Sequence, residues 1–308
     1  MKANPIYQEV IMVEICPVVN TEKLLLATDG SLFSEGAIRE AIRLAKKCSS
    51  KLSVLSVIET NTEYAAIAPQ LLEKAEKTAR EHLESVKAQA KKEGVDCGTS
   101  ILEGEDSYNY ISEEAAKNKI SMIIMGRRGR TGLKRLAMGS TAARVIGHAP
   151  CNVLVVPKAA IVEFKSIVIA TDGSPYSTAA ASEAIGIAKK NGSKLTVISV
   201  VPAELATPTD VDFAATQREL LADKEMQAAE KNAKAVKEAA QKEGVAVQAF
   251  VMTGKPADAI IETANEKNAD LIIVGSHGRT GIERLLMGSV AERVIVMSSC
   301  AVMVVKGK

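Results

Sequence analysis

The sequence predicts an α/β protein of two tandem doubly wound domains, each a five-stranded parallel sheet with helices on both faces. Three observations lead there. Short β-branched runs alternate with longer amphipathic stretches, and the second half of the chain repeats the first almost from start to finish. Apolar residues make up 47% of the 308, yet aromatics supply only 3% and Trp is absent, so the core must be built from Val, Ile, Leu and Ala. That composition suits buried parallel strands beneath helices, and the length suffices for two ordinary domains.

In the first half the pattern reads as a strand at Lys23 to Thr28, a helix from about Ser34 to Cys48, a strand at Lys51 to Ile58 and a long helix from about Gln70 to Glu93. A strand at Asp96 to Glu103, a helix near Tyr108 to Lys117, a strand at Ser121 to Met125, a glycine loop, a helix from Ser140 and a strand at Asn152 to Val156 complete it. Strict alternation implies a parallel sheet, because each right-handed crossover needs a covering helix. Gly94 and Gly244, closing KKEG and QKEG, are expected to stop the helices before them.

The repeat is explicit in the residues. LLLATDGS at Leu24 to Ser31 returns as IVIATDGS at Ile167 to Ser174, and KLSVLSVI at Lys51 to Ile58 returns as KLTVISVV at Lys194 to Val201. The separation is 143 residues from Asp29 to Asp172 but 149 from Gly126 to Gly275, an insertion of six that falls largely in Pro202 to Thr216. The first domain is expected over residues 21–158 and the second over 163–308, with a linker too short to let them drift apart. Residues 1–20 have no counterpart, and the run from Glu9 to Glu14 reads either as an added edge strand or as an arm on a partner surface.

A formal charge of +2 offers no global reason to expect nucleic acid or an anionic membrane as partner. Cys16, Cys48, Cys97, Cys151 and Cys300 are odd in number and form no C-x-x-C pair. That argues against a disulfide framework or a zinc knuckle and makes a reduced cytoplasm the simplest compartment. Lys2 is the one basic residue ahead of apolar Val10 to Val13, which Glu9 and Glu14 flank, so the N-terminus does not read as a signal peptide. No apolar run reaches the length of a membrane span.

Chemistry concentrates in a pattern, Gly-x2-Gly-x9-Gly-Ser, found at Gly126, Gly129, Gly139 and Ser140 and again at Gly275, Gly278, Gly288 and Ser289. Glycines let backbone N–H groups approach a ligand closely, and a following helix adds the positive end of its dipole. In a doubly wound sheet the winding reverses between the first strand and the fourth, and ligands bind at the carboxyl ends there. Asp29 ends the first strand and Gly126 the fourth; Asp172 and Gly275 repeat the arrangement. A carboxylate suits a sugar hydroxyl or an exocyclic amine, while the glycine loop and the N–H groups around Ser140 suit phosphate oxygens. Together they describe a nucleotide. Taken singly, the glycines could be turns, the aspartates turn formers and Ser140 and Ser289 N-caps; the repeated spacing favours a ligand.

These residues resemble a known family, the universal stress proteins in tandem arrangement, over nearly all of the chain after residue 20. The resemblance implies the strand order 3-2-1-4-5 in each half and places both halves in the branch that keeps the glycines and binds ATP. Carried across by motif, it sets Asp29 and Asp172 against the adenosine part, Ala27 and Ala170 beside the base, and the backbones of Val57 and Val200 against adenine. Gly126, Gly129, Gly139, Ser140 and Thr141 would hold the phosphates in the first half, and Gly275, Gly278, Gly288, Ser289 and Val290 in the second. The implied ligand is ATP, or AMP or ADP, with any Mg2+ bound through the phosphates, and the implied role is regulatory or stress-related. Known members pair through their last strands. Val153 to Val156 and Val302 to Val305 would then join the halves as an internal pseudo-dimer, with a homodimer as a further option.

No Gly-x4-Gly-Lys-Ser/Thr run exists, and the glycines fail Gly-x-Gly-x2-Gly. Asp29 and Asp172 supply neither an activated nucleophile nor a set of metal carboxylates, so no catalytic residue is assigned and hydrolysis is expected to be slow or absent. The enzyme alternative is a weak ATPase or phosphotransfer activity, with water acting near His277 or Arg128. A scaffold or nucleic-acid module on GRRGRTGLKR would lack stacking aromatics.

The halves also diverge. Arg127-Arg128 faces Ser276-His277, so the arginines are either phosphate ligands or a charged rim; Arg130 and Arg279 recur, as phosphate contacts or ion pairs. Glu105-Asp106 faces Lys255-Pro256, and carboxylates near the pocket would repel a polyanion, making the second half the expected better binder. Cys151 and Cys300, entering the last strands, are expected to be buried.

Overall fold

The computed structural model describes residues 16–19, 21–129, 138–203, 212–279 and 287–307. The expected edge strand or arm around Val10 to Val13, Arg130 and the end of GRRGRTGLKR lie outside the described residues.

The first half runs β1 (Lys23–Ala27), α1 (Glu35–Cys48), β2 (Lys51–Glu59), α2 (Thr62–Ile67), α3 (Pro69–Lys92), β3 (Cys97–Gly104), α4 (Ser107–Lys117), β4 (Met122–Gly126), α5 (Ser140–His148) and β5 (Asn152–Val156). The second runs β6 (Ser166–Ala170), α6 (Pro175–Asn191), β7 (Lys194–Pro202), α7 (Asp212–Lys242), β8 (Val247–Gly254), α8 (Pro256–Glu266), β9 (Leu271–Gly275), α9 (Ser289–Met297) and β10 (Ala301–Val305). Neither α2 nor a 3-10 turn at Leu32–Ser34 was anticipated. Pro69 disfavours a helical residue before it and suits the first position of a new helix, so it separates α2 from α3. At the other end of α3, Gly94 takes φ +75 and Val95 N–H reaches the Ala90 carbonyl at 2.9 Å; Gly244 and Val245 close α7 in the same way.

The strands form one ten-stranded sheet in the order β3-β2-β1-β4-β5-β10-β9-β6-β7-β8. Each half therefore has the order 3-2-1-4-5, and the halves join where β5 and β10 pair antiparallel, Val302 opposite Val155 and Val304 opposite Val153. Alternate residues of each strand face opposite sides. Leu24 and Leu26 pack with Ala41 of α1 and Val86 of α3 in a core that continues through Ile167, Ile169 and Ala184 of α6. On the other face Leu25 and Ile123 pack with Val145 of α5 in a core continuing through Ile272 and Val294 of α9. Both cores run across the junction. At roughly 1.5–3 kcal/mol per fully buried aliphatic side chain, the halves stabilise each other.

The linker is held at both ends by a carboxylate. Glu40 of α1, 3% exposed, accepts from Arg43 at 2.9 Å, Arg39 at 3.0 Å and the Val162 N–H at 3.3 Å. Asp270 accepts from the N–H groups of Phe164, Lys165 and Ser166 at 2.7, 2.8 and 3.0 Å.

The cysteines correct the expectation from their number. Cys16 and Cys48 form a disulfide, with Cα atoms 4.2 Å apart. Their separation of 32 residues carries no signal. A strand followed by a helix brings the chain back to the edge where it began, so the start of β1 and the end of α1 are neighbours. Cys97 and Cys300 are buried free thiols and Cys151 is half-buried, its pKa pushed up to about 11 by burial. Among the described residues no helix is long and apolar enough to cross a membrane.

Candidate functional site

Asp29 follows β1 in a tight turn. Its Oδ1 accepts from the Ser31 N–H at 3.0 Å across Gly30, which takes φ +75. Beside the turn, Thr28 Oγ1 lies 3.0 Å from His82 Nε2 on α3. Gly126 ends β4 and starts the loop that returns over Asp29. A Cβ on Gly129 would stand 2.8 Å from Asp29 Oδ2, and one on Gly126 would stand 2.8 Å from the Phe33 carbonyl oxygen. Neither place admits a side chain without movement. The loop closes with Gly139 N–H on the Arg127 carbonyl at 3.1 Å, and α5 begins at the next residue. The first N–H groups of a helix have no partner within it and carry its positive end.

These pieces enclose a cavity of about 410 Å³. Its walls include Ala27, Asp29, Val57, Gly126, Gly129, Gly139, Ser140 and Thr141, every site residue named for the first half. The volume lies within the usual range for small-molecule sites.

Other wall residues were not anticipated. Leu55, Ile58, Leu71, Leu72, Ile111 and Met125 add apolar wall, and Glu59 also lines it, its Oε1 accepting from the Ser107 hydroxyl. The apolar face of α3 was legible in its helical period; Glu59 was hidden because its counterpart is Pro202. Arg128 lines the loop end, its guanidinium 6.0 Å from the Phe33 ring centre.

Arg127 corrects both readings offered for it. Half-buried, it turns away from the cavity and donates to the carbonyls of Ile295 at 3.1 Å and Ser298 at 2.7 Å, capping α9 of the other half. Lys306 reciprocates: just past β10, its Nζ donates to the carbonyls of Ile146 at 2.8 Å and Gly147 at 2.9 Å at the end of α5. The acidic pair is corrected too. Neither Glu105 nor Asp106 lines the cavity, and Asp106 is bound to Arg144 of α5 at 2.7 Å. In the second half Arg293 bridges instead to Asp258, inside the first turn of α8. Asp106 adjoins the cavity-lining Ser107, with its charge met by Arg144.

The second half repeats the loop geometry. Gly288 N–H donates to the Ser276 carbonyl at 2.9 Å, α9 begins with Ser289 and Val290, and a Cβ on Gly278 would stand 2.8 Å from Asp172 Oδ2. Gly275 abuts the Tyr176 backbone, while Ala170 and Val200 lie half-buried at the ends of β6 and β7. Asp172 is held by several donors. Burial raises its pKa, but hydrogen bonds from Ser174, Ser177 and the Arg279 N–H outweigh this and leave it lowered. Arg279 donates that N–H at 2.9 Å and pairs through its guanidinium with Glu225 of α7 at 2.7 Å, so the ion-pair reading holds there. His277 stacks on Tyr176, ring centres 5.1 Å apart, with Nδ1 3.1 Å from Ser276 Oγ. Among the described residues no three His, Cys, Asp or Glu side chains converge as a metal site.

The pattern of the Universal stress protein family matches residues 20–157 and again residues 163–306. A universal stress protein of Mycolicibacterium smegmatis is 30% identical over 302 residues, 92% of this chain and 96% of that one. One from Methanocaldococcus jannaschii is 41% identical over 145 residues, 46% of this chain and 82% of that one. Among solved structures, a universal stress protein from Archaeoglobus fulgidus superposes with a TM-score of 0.70 at 24% identity, covering 92% of this chain and 96% of that one, a likeness of fold. The chain belongs to the universal stress protein family.

Proposed function

We propose that this protein binds adenine nucleotides, ATP foremost with AMP or ADP as alternatives, and acts in the cytoplasm as a regulatory or stress-response protein rather than a turnover enzyme. One observation carries the reading: the cavity of the first half joins apolar wall residues, a carboxylate at the close of β1 and a helix N-terminus preceded by a glycine loop. These are the surroundings that a base, a ribose and a phosphate chain each require. Asp29 would accept from ribose hydroxyls. The N–H groups of Ser140 and Thr141, with Arg128 beside them and Gly139 leaving room for their approach, would meet the phosphates. Glu59 would accept from the exocyclic amine of adenine, which a base with a carbonyl there lacks. Any Mg2+ would arrive on the phosphates, because the described side chains offer it no set of ligands. With no base poised on a nucleophile, hydrolysis is expected to be slow or absent.

The test is the nucleotide content and stoichiometry of the purified chain, read by denaturation and chromatography and then by titration with ATP. Wild type is expected to bind up to two nucleotides, and Asp29→Ala and Asp172→Ala each to weaken one site by about tenfold or more. No adenine-nucleotide binding at millimolar concentration would sink the reading. Nucleotide recovered intact after long incubation supports a binding role; turnover that disappears with Gly275→Ala would establish an ATPase instead.

A further inference from the structure

At the edge where α1 ends, the disulfide does more than close a loop. Cys16 begins a short segment that leaves the first half and lies on α6 of the second. Val18 is 0% exposed and its carbonyl accepts from Lys190 Nζ at 2.8 Å; the Pro17 carbonyl accepts from Asn191 Nδ2 at 2.9 Å. Val19 packs so close to Gly186 that a Cβ there would stand 3.0 Å from its methyl group. A covalent bond to α1 at one end and a seat on α6 at the other make residues 16–19 a clasp between the halves.

The same disulfide is open to small molecules. It forms part of the wall of an open depression of about 480 Å³ whose other residues include Lys23, Lys51 and Lys190. Cations around a cysteine favour its thiolate, and disulfides that exchange with cellular thiols are accessible ones beside such charges. The two sulfurs are not equivalent. Cys48 is the last residue of α1, where the helix dipole disfavours a thiolate, whereas Cys16 has the Thr21 hydroxyl 3.0 Å from its sulfur.

We propose that the Cys16–Cys48 pair is a reversible thiol–disulfide exchange site for a small anionic thiol, and that its state decides whether residues 16–19 clasp the second half. The incoming thiolate attacks the Cys48 sulfur, breaks the protein disulfide and forms a mixed disulfide, while Cys16 leaves as a thiolate and takes a proton from solvent. A second thiolate attacks the mixed disulfide, freeing Cys48 as a thiol and releasing the two reductant thiols as their own disulfide. Two electrons pass from the thiols to the protein, and the reverse sequence restores the bond. The site is separate from the nucleotide cavity and does not rest on that reading.

The full chain is equilibrated in glutathione buffers of graded reduced-to-oxidised ratio and quenched in acid. Thiols are counted after denaturation, and amide exchange is followed over residues 16–19 and 183–191. The count is expected to pass from three to five within the accessible ratios, with exchange of the Val18 and Val19 amides accelerating by about tenfold or more on reduction. Cys16→Ser is expected to accumulate glutathione on Cys48 by peptide mass. Five thiols at every ratio, three at every ratio, or exchange that ignores the redox state would each overturn the proposal.

Discussion

The two glycine loops close with the same backbone bond, Gly139 on Arg127 and Gly288 on Ser276, yet the residue at the bond does opposite things. Arg127 reaches out of its own half to cap α9, whereas Ser276 is 1% exposed and its N–H is held by Val305 of the neighbouring strand. A second pair differs similarly. Glu40 is buried with every oxygen engaged, while its counterpart Glu183 holds the Val19 N–H and leaves Oε1 without a hydrogen-bond partner. The duplication thus repeats the backbone that shapes a site and changes the side chains that tie one half to the other. That follows from what each part must do. A Cβ in the loop would push on the carboxylate beneath it, so the glycines recur, but two halves packed by antiparallel last strands need ties at only some of the equivalent positions.

The strongest way to break the comparison is at the first glycine of each loop. Gly126→Ala drives a Cβ toward the Phe33 carbonyl and Gly275→Ala toward the Tyr176 backbone. Each is expected to weaken its own nucleotide site by about 100-fold, or about 2.7 kcal/mol, and to leave the other near wild type in equilibrium dialysis. Equal loss at both sites would mean the loops are not independent units.

The carboxylate pair separates next. Glu40→Gln removes a charge that two guanidinium groups share and is expected to cost about 2 kcal/mol, seen as a melting temperature lower by about 3 °C. Glu183→Gln is expected to do the reverse. Burial raises the Glu183 pKa, so the folded state favours its neutral form and stability falls as pH rises through the carboxylate range. The amide variant should therefore melt higher than wild type at pH 8 and no higher at pH 4.

Arg127→Ser, which installs the residue of the other half, is expected to cost about 1–2 kcal/mol by stripping two carbonyls of a charged donor. Its nucleotide effect should appear at the second site, whose phosphate helix it caps. Weakening confined to the first site would return Arg127 to the phosphates.

The smallest effect concerns acid. The Asp172 pKa is lowered, so its contribution is present above its unfolded pKa and lost as pH falls through the folded one. Asp172→Asn should flatten that acid limb in melting curves.

How far the sequence alone reaches can be judged residue by residue. The alternation of elements, the repeat, the helix stops at Gly94 and Gly244 and the glycine spacing all depend on neighbours a few positions away, where periodicity and turn chemistry operate. Winding order then brings Asp29 and Gly126 to one crevice. Glu59 escaped because a repeat draws the eye to positions where the copies agree, and the Ser107 that orients it lies on another element.

The remaining assignments belong to the tertiary structure. Arg127 finds its acceptors 168 and 171 residues away, Cys16 finds Cys48 across a strand and a helix, and Asp106 has its charge met by Arg144. Length, periodicity and local chemistry determined that this chain makes two doubly wound halves with a glycine loop beside an aspartate in each. Only the docking of those halves through β5 and β10, over two shared cores, decided which charges face a cavity and which become ties. A side chain several bonds long can reach any of several partners, and the geometry of packing selects among them.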